Sequence, residues 1–380
     1  MLGIEIGKDM ERVNWEARIP GIQGKMQKWE QRDLSITGKI LVVKAEVLSS
    51  LNFLAATLPV PKTCLATLRK IMFWFIWGSS QERLKRDVMY RPLEKGGKEV
   101  PDLSLKFNAL FVTPIVNAVL NKKQVSLWYY FAKLWAGQRI LNALGKRPPL
   151  NTPQAEEKPE MYMRALEIFI STKIKKAPKN MLGRATIEKE LSPRQSSMVP
   201  VRSLIEEECI QVWKNVNSTY LLNPYKDLAW NIVHECLPTK SFQYRRHRLS
   251  RDDKCPRNNC GMEETTDHLF WACGVAIKVW KIAGPWLKEI YQAPSKEGIL
   301  YGNMNGIENE GAKRWWAALN CIKEGIWRAR NAYVFKRVWI SPESIVKVSL
   351  SLIKDYVLLD KKKIWNRECG EMVEDKTYTS

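Results

Sequence analysis

The chain has 380 residues, 61 of them Lys or Arg against 40 Asp or Glu, for a formal net charge of +21. A hydrophobic content of 45% with 16 Trp excludes a disordered polyelectrolyte, and the length suits two or three domains. The eight sparse cysteines exclude a small secreted disulfide scaffold, and the excess of cations favours a polyanionic partner, of which nucleic acid is the commonest.

The first residues are too charged for a secretory leader, and the most apolar stretch, Ile40 to Val60, carries Lys44 and Glu46. The expectation is a soluble protein of the nucleus or cytoplasm, with no membrane span and no small-molecule substrate. Cys64, Cys209, Cys236, Cys321 and Cys369 read as reduced thiols.

Residues 1–145 read as helical. After Thr37-Gly38-Lys39, a helix start, Ile40, Val43, Val47, Leu51 and Leu54 recur at helical spacing until Pro59 and Pro61 stop the run. Leu65 to Trp77 is apolar on nearly every side, which predicts a central helix. Gly96-Gly97 marks a turn, and Pro101-Asp102-Leu103 opens a helix through Leu120. Residues 146–200 have the proline-rich and then basic composition of a linker, with one short amphipathic helix. From 201 a second unit begins, with Trp213, Trp230, Val233 and Leu237 at helical spacing. A Trp-rich segment follows over 301–365 (Trp315, Trp316, Ile322, Ile326, Trp327), and 366–380 is a frayed tail.

The strongest local signal is Cys255, Cys260, His268 and Cys273, a C-x4-C-x7-H-x4-C run. Three thiolates and an imidazole complete the tetrahedron that Zn²⁺ prefers and leave no position for a reacting water, so the expectation is one structural Zn²⁺. Asp267 is the expected N-cap of a helix carrying His268, Cys273, Ile277 and Trp280. Three independently buried thiols with a surface histidine is the competing reading. Arg245, Arg246, Arg248, Arg251, Lys254 and Arg257 crowd the approach to this run, with Lys39 and Lys44 as a weaker set nearer the start. These are the expected phosphate contacts for RNA or DNA, and Phe242, Tyr244 and Trp271 could stack on bases, although Trp271 reads better as core.

Three blocks in order resemble the C-terminal part of LINE-type (non-LTR) retrotransposon reverse-transcriptase polyproteins. The first is Trp29-x-x-Arg32-x-Leu34-Ser35-x-x-Gly38-Lys39, continued by Phe75-Ile76-Trp77-Gly78 and Gly96-Gly97 before Pro101-Asp102-Leu103. The second runs from Trp230 through Leu237-Pro238, Arg245-Arg246 and the Cys/His run to Trp280, and is similar to the reverse-transcriptase zinc-binding domain. The third is Ile326-Trp327-x-x-Arg330-Asn331-x-x-Val334-Phe335. The resemblance implies a mainly α fold, with a helical thumb-like region over 1–145 and the zinc-binding domain over 201–300. It departs from the family in its C-x4-C spacing and in Lys98-Glu99 after the Gly-Gly pair.

A palm would need paired carboxylates for two metal ions in an apolar strand turn. Asp252-Asp253 instead stands between Arg251 and Lys254 in a polar loop. The expectation is therefore a non-catalytic nucleic-acid-binding remnant that starts where the palm ends. The alternatives are a zinc-stabilised module binding an acidic protein partner, or an accessory part of an active RNA-directed DNA polymerase whose palm lies elsewhere.

Overall fold

The computed structural model describes residues 3–121, 127–148, 157, 159–172, 174, 182–192, 197–202, 204–247, 249–258, 260–290, 295–304 and 310–353. It is about 70% helical and mainly α, with no strand among the described residues. An antiparallel bridge between Lys254 and Glu263 is the extended pairing that occurs there. The chain forms two compact units, one from 1–82 and 99–197, the other from 83–98 and 198–380.

In the first unit the Ile36–Thr57 helix begins where expected, with the Ser35 hydroxyl accepting the Gly38 N–H at 3.1 Å. Its apolar stripe, Ile40, Val43, Val47, Leu51 and Leu54, is buried throughout. The helix stops at Leu58, whose extended backbone is the one a residue before proline prefers. Lys62–Trp77 follows and buries Cys64, Leu68, Met72, Phe73, Phe75, Ile76 and Trp77, while Trp74 stays exposed. It ends at Gly78 in the left-handed region, whose N–H returns to the Trp74 carbonyl at 2.8 Å.

Leu103–Leu120 is the centre of this unit, because Ser49–Thr57, Glu160–Ser171 and Arg184–Leu191 all pack on it. Asp102 caps it by accepting the Ser104 N–H at 2.9 Å and pairs with Arg69 at 2.9 Å. Two helices here, Ile36–Thr57 and Leu103–Leu120, are long and apolar enough to cross a membrane by length and composition, and about half of each is packed inside the protein.

Part of the stretch expected to be a linker is core. Tyr162, Ala165, Leu166, Phe169, Leu182 and Ile187 are buried in the cluster around Leu103–Leu120. Asn117 clasps the Leu182 backbone, donating to its carbonyl at 3.0 Å and accepting its N–H at 2.8 Å. The helix Arg184–Leu191 buries Ile187 alone, so it has no apolar period for a sequence reading to detect. The proline-rich residues 149–156 and the tail 366–380 lie outside the described residues.

The second unit is built on Glu310–Lys336, against which Asn223–Val233, Gly274–Ile290 and His268–Ala272 pack. Its core holds Trp213, Trp230, Trp315, Trp316 and Phe270, all essentially unexposed. Residues 83–98, expected within the first helical region, pack here instead. The Gly96-Gly97 turn explains why. Gly96 has φ +86°, and a Cβ on it would lie 2.7 Å from the Trp213 ring; one on Gly97 would lie 1.9 Å from the Arg91 carbonyl oxygen. The Gly96 carbonyl accepts from Trp230 Nε1 at 3.0 Å and from the His234 ring at 2.8 Å. Beside them Lys98 and Asp227 form a buried ion pair at 2.6 Å.

Candidate metal centre

Cys255 enters the site on extended backbone, its N–H bonded to the Met262 carbonyl at 2.7 Å next to the Lys254–Glu263 bridge. Gly261, at φ +62°, turns the chain back, and the Cys260 N–H reaches the Arg257 carbonyl at 3.2 Å. His268 and Cys273 come from a different local structure. The Thr265 hydroxyl accepts the His268 N–H at 3.0 Å and so caps the helical turn 266–272.

Asp267 is therefore not the cap expected of it. Its backbone is already helical and no side-chain cap bond forms. The carboxylate is taken up by Lys296, by the Tyr301 hydroxyl at 2.9 Å and by Arg202 at 3.3 Å. The single helix expected through Cys273 is also interrupted. His268–Ala272 is wound as a wide π turn, Cys273 has ψ 136°, and Gly274–Ile290 starts afresh. The break lets the Cys273 N–H return to the His268 carbonyl at 2.7 Å.

These two pieces bring the ligand atoms of Cys255, Cys260, His268 and Cys273 within 4.8 Å of one another. The Cys260 sulfur and His268 Nε2 are 3.3 Å apart. A tetrahedral zinc with Zn–S bonds of about 2.3 Å has edges of about 3.8 Å, so a small inward movement would complete such a shell. Backbone N–H groups of Arg257 and Val275 bond the Cys255 and Cys273 sulfurs, each from two residues further along. Donors aimed at sulfur stabilise thiolate. The Cys255 thiol donates to Cys273, which pushes Cys255 above and holds Cys273 below the ordinary thiol range. Cys255, His268 and Cys273 are buried and Cys260 is half-buried. The donor set and its closure suit a metal ion held for structure.

The surrounding polar groups are those that sequence reasoning missed. Glu264 is fully buried and accepts both Arg330 Nη2 at 2.6 Å and Nε at 2.9 Å, as well as the Lys240 N–H at 2.7 Å. The Tyr333 hydroxyl donates to Asn258 Oδ1 at 2.6 Å. Both links tie the cysteine turn to Glu310–Lys336. Arg330 shares its helix with Arg314 and Arg328, so nothing in the sequence but its place in the Trp327-x-x-Arg330-Asn331 block set it apart.

Arg257 corrects an expectation. Read as a phosphate contact, it is 6% exposed, with Nε and Nη2 lacking any hydrogen-bond partner. Burial lowers the pKa of its guanidinium, and Cys273, Cys255 and Glu264 act against that. A loop closing around the cysteines draws the middle residue of its turn inward.

Of the other cations expected on nucleic acid, Arg245 is exposed and paired with Glu263, Lys254 is exposed, and Arg251 is exposed. Arg246 reaches the Arg83 carbonyl at 3.4 Å and lies 5.7 Å from the Phe242 ring. Arg248 lies outside the described residues. Lys44 is exposed and Lys39 half-buried, 5.5 Å from the Phe75 ring; both belong to the first unit. Tyr244 is exposed, and Phe242 and Trp271 are half-buried. Among the acids, Asp252 accepts the Lys254 N–H at 3.0 Å, and Glu263 is occupied by Ser241 and Arg245. No family model matches the chain.

Proposed function

We propose that this chain is a non-catalytic nucleic-acid-binding module, the C-terminal part of a non-LTR retrotransposon reverse transcriptase, acting on RNA or DNA in the nucleus or cytoplasm. One structural Zn²⁺ held by Cys255, Cys260, His268 and Cys273 orders its basic loop. The observation that carries this reading is the convergence of four ligand atoms within 4.8 Å from two separate local structures. Unrelated buried thiols have no reason to converge with the one histidine of the segment. Arg245, Arg246, Arg251 and Lys254 lie on the chain leading into that site, where they can meet phosphate. The three resembling blocks, in family order, support the same assignment.

The test combines metal and ligand. Protein purified without added zinc should carry close to one Zn²⁺ per chain, and Cys255→Ser/Cys273→Ser should carry none. Arg245→Ala/Arg246→Ala/Arg251→Ala should weaken binding of single-stranded RNA more than Lys8→Ala/Lys62→Ala/Lys70→Ala, three exposed lysines of the first unit. Equal losses would leave a diffuse cationic surface and no site. Competition by an acidic protein at the same loop, with no RNA binding, would favour the protein-interaction alternative, and primer extension with Mg²⁺ would refute the non-catalytic assignment.

A further inference from the structure

Beside the cysteines, one buried charge is left unexplained by the zinc. Arg257 is 6% exposed, yet two of its guanidinium nitrogens find no acceptor. Orphaned donors on a buried cation are costly, and proteins retain them where a further charge is to be met. Arg257 sits in the turn between two of the cysteines, its backbone N–H bonded to the Cys255 sulfur and its carbonyl accepting the Cys260 N–H at 3.2 Å. The charges that act on it are the thiols of Cys273 and Cys255, the Glu264 carboxylate and the Arg330 guanidinium. Glu264 is already committed to Arg330 through two hydrogen bonds and to the Lys240 N–H. The sulfurs are what remains.

We infer that Arg257 is the built-in counter-charge of the metal centre, a positioning residue whose Nε and Nη2 donate to the thiolate sulfurs of Cys255 and Cys273 in the zinc-bound protein. This rests on the zinc assignment. A divalent ion with three thiolates and a neutral imidazole carries one net negative charge. Arg257 cancels it, and the neighbouring Glu264 and Arg330 cancel each other, so the whole buried set is neutral with the metal in place. Donation to sulfur also quietens the thiolates, which suits a site kept for structure rather than chemistry.

Removing an outer partner of a metal ligand typically weakens metal binding by about 10–100-fold. Arg257→Met should lose affinity in that range when zinc is titrated against a chromophoric chelator. Arg257→Lys keeps the charge without the planar fork and should recover most of the loss. In the cobalt-substituted full chain, the sulfur-to-metal charge-transfer band should shift in both variants, because both alter donation to sulfur; a packing role would leave it in place. Helicity by circular dichroism checks that each variant is folded, and if Arg257→Met is not, Arg257→Lys decides through the band alone. Affinities within about threefold of the parent, with an unshifted band, overturn the inference and leave the zinc site standing. A Lys variant as weak as the Met variant overturns it too. If the parent chain binds no zinc, the metal assignment itself falls, a result distinct from both.

Discussion

Glu264 receives the Arg330 guanidinium through two of its nitrogens and a backbone amide on its one buried carboxylate, and neither charged partner is more than 2% exposed. Breaking such a pair from one side leaves an uncompensated buried charge, at a cost of about 3–5 kcal/mol. Glu264→Ala should lower the urea midpoint of the second unit accordingly, and Glu264→Ala/Arg330→Met should recover part of the loss. A single variant as stable as the parent would mean that the pair carries no structural weight. His234 gives a pH-dependent counterpart. It lies tilted against Trp213 and Trp230, with ring centroids 4.9 and 4.3 Å away, and donates to the Gly96 carbonyl. Burial pushes its pKa down to about 4. Below about 6.5 the unfolded chain takes up a proton that the folded chain refuses, so stability falls as pH drops from about 6.5 to about 4. Above that window the contribution is constant. The loss should reach roughly 3 kcal/mol, and His234→Gln should flatten that part of the curve of urea midpoint against pH.

Among the elements, the cysteine turn and the Gly-Gly turn differ in what holds them. Thr265 and Gly261 shape the first, and its four candidate ligand side chains, already within 4.8 Å of one another, could hold a metal ion that ties them together. Structural zinc contributes about 10–16 kcal/mol to folding in zinc-finger peptides. A chelator should therefore strip amide-exchange protection from about 250–285 while Leu103–Leu120 keeps its own; uniform loss, or none, would contradict a local metal-dependent element. The Gly96-Gly97 turn depends on contact instead. Gly97→Ala would press a methyl against the Arg91 carbonyl, which is backbone and cannot move aside, and should cost at least about 3 kcal/mol. Gly261→Ala meets open space and carries only the left-handed backbone penalty of about 1–2 kcal/mol. Urea denaturation of the two variants in parallel should give that order.

For the whole molecule the question is whether a charge of +21 acts diffusely or through one loop. Each phosphate neutralised on a single strand adds about 0.7 to the slope of log affinity against log salt. With Arg257 buried among the cysteines, Arg245, Arg246, Arg251 and Lys254 remain as exposed candidate contacts of the loop. Their four contacts predict a slope near −3, falling by about two in Arg245→Ala/Arg246→Ala/Arg251→Ala. A filter-binding series from about 50 to 300 mM salt measures it. An unchanged slope would place the contacts elsewhere on the molecule.

The sequence by itself determined what short-range chemistry specifies. The 3.6-residue recurrence of Ile40, Val43, Val47, Leu51 and Leu54 predicted a buried helix face, and Pro59 and Asp102 predicted a stop and a start, because periodicity and caps are written within a few residues. The Cys/His cluster was legible for the same reason: the four candidate ligands lie close in the chain. Only the tertiary structure decided that 83–98 folds with the second unit, since that turns on Trp213 and Trp230 meeting Gly96 across more than a hundred residues of chain. It likewise decided that Leu182 and Ile187 are core, that Thr265 rather than Asp267 caps the ligand helix, and that Arg257 faces inward. A charge reads the same in a sequence whether it meets water or a sulfur. Burial alone separates the two, and burial is set by elements far apart in the chain.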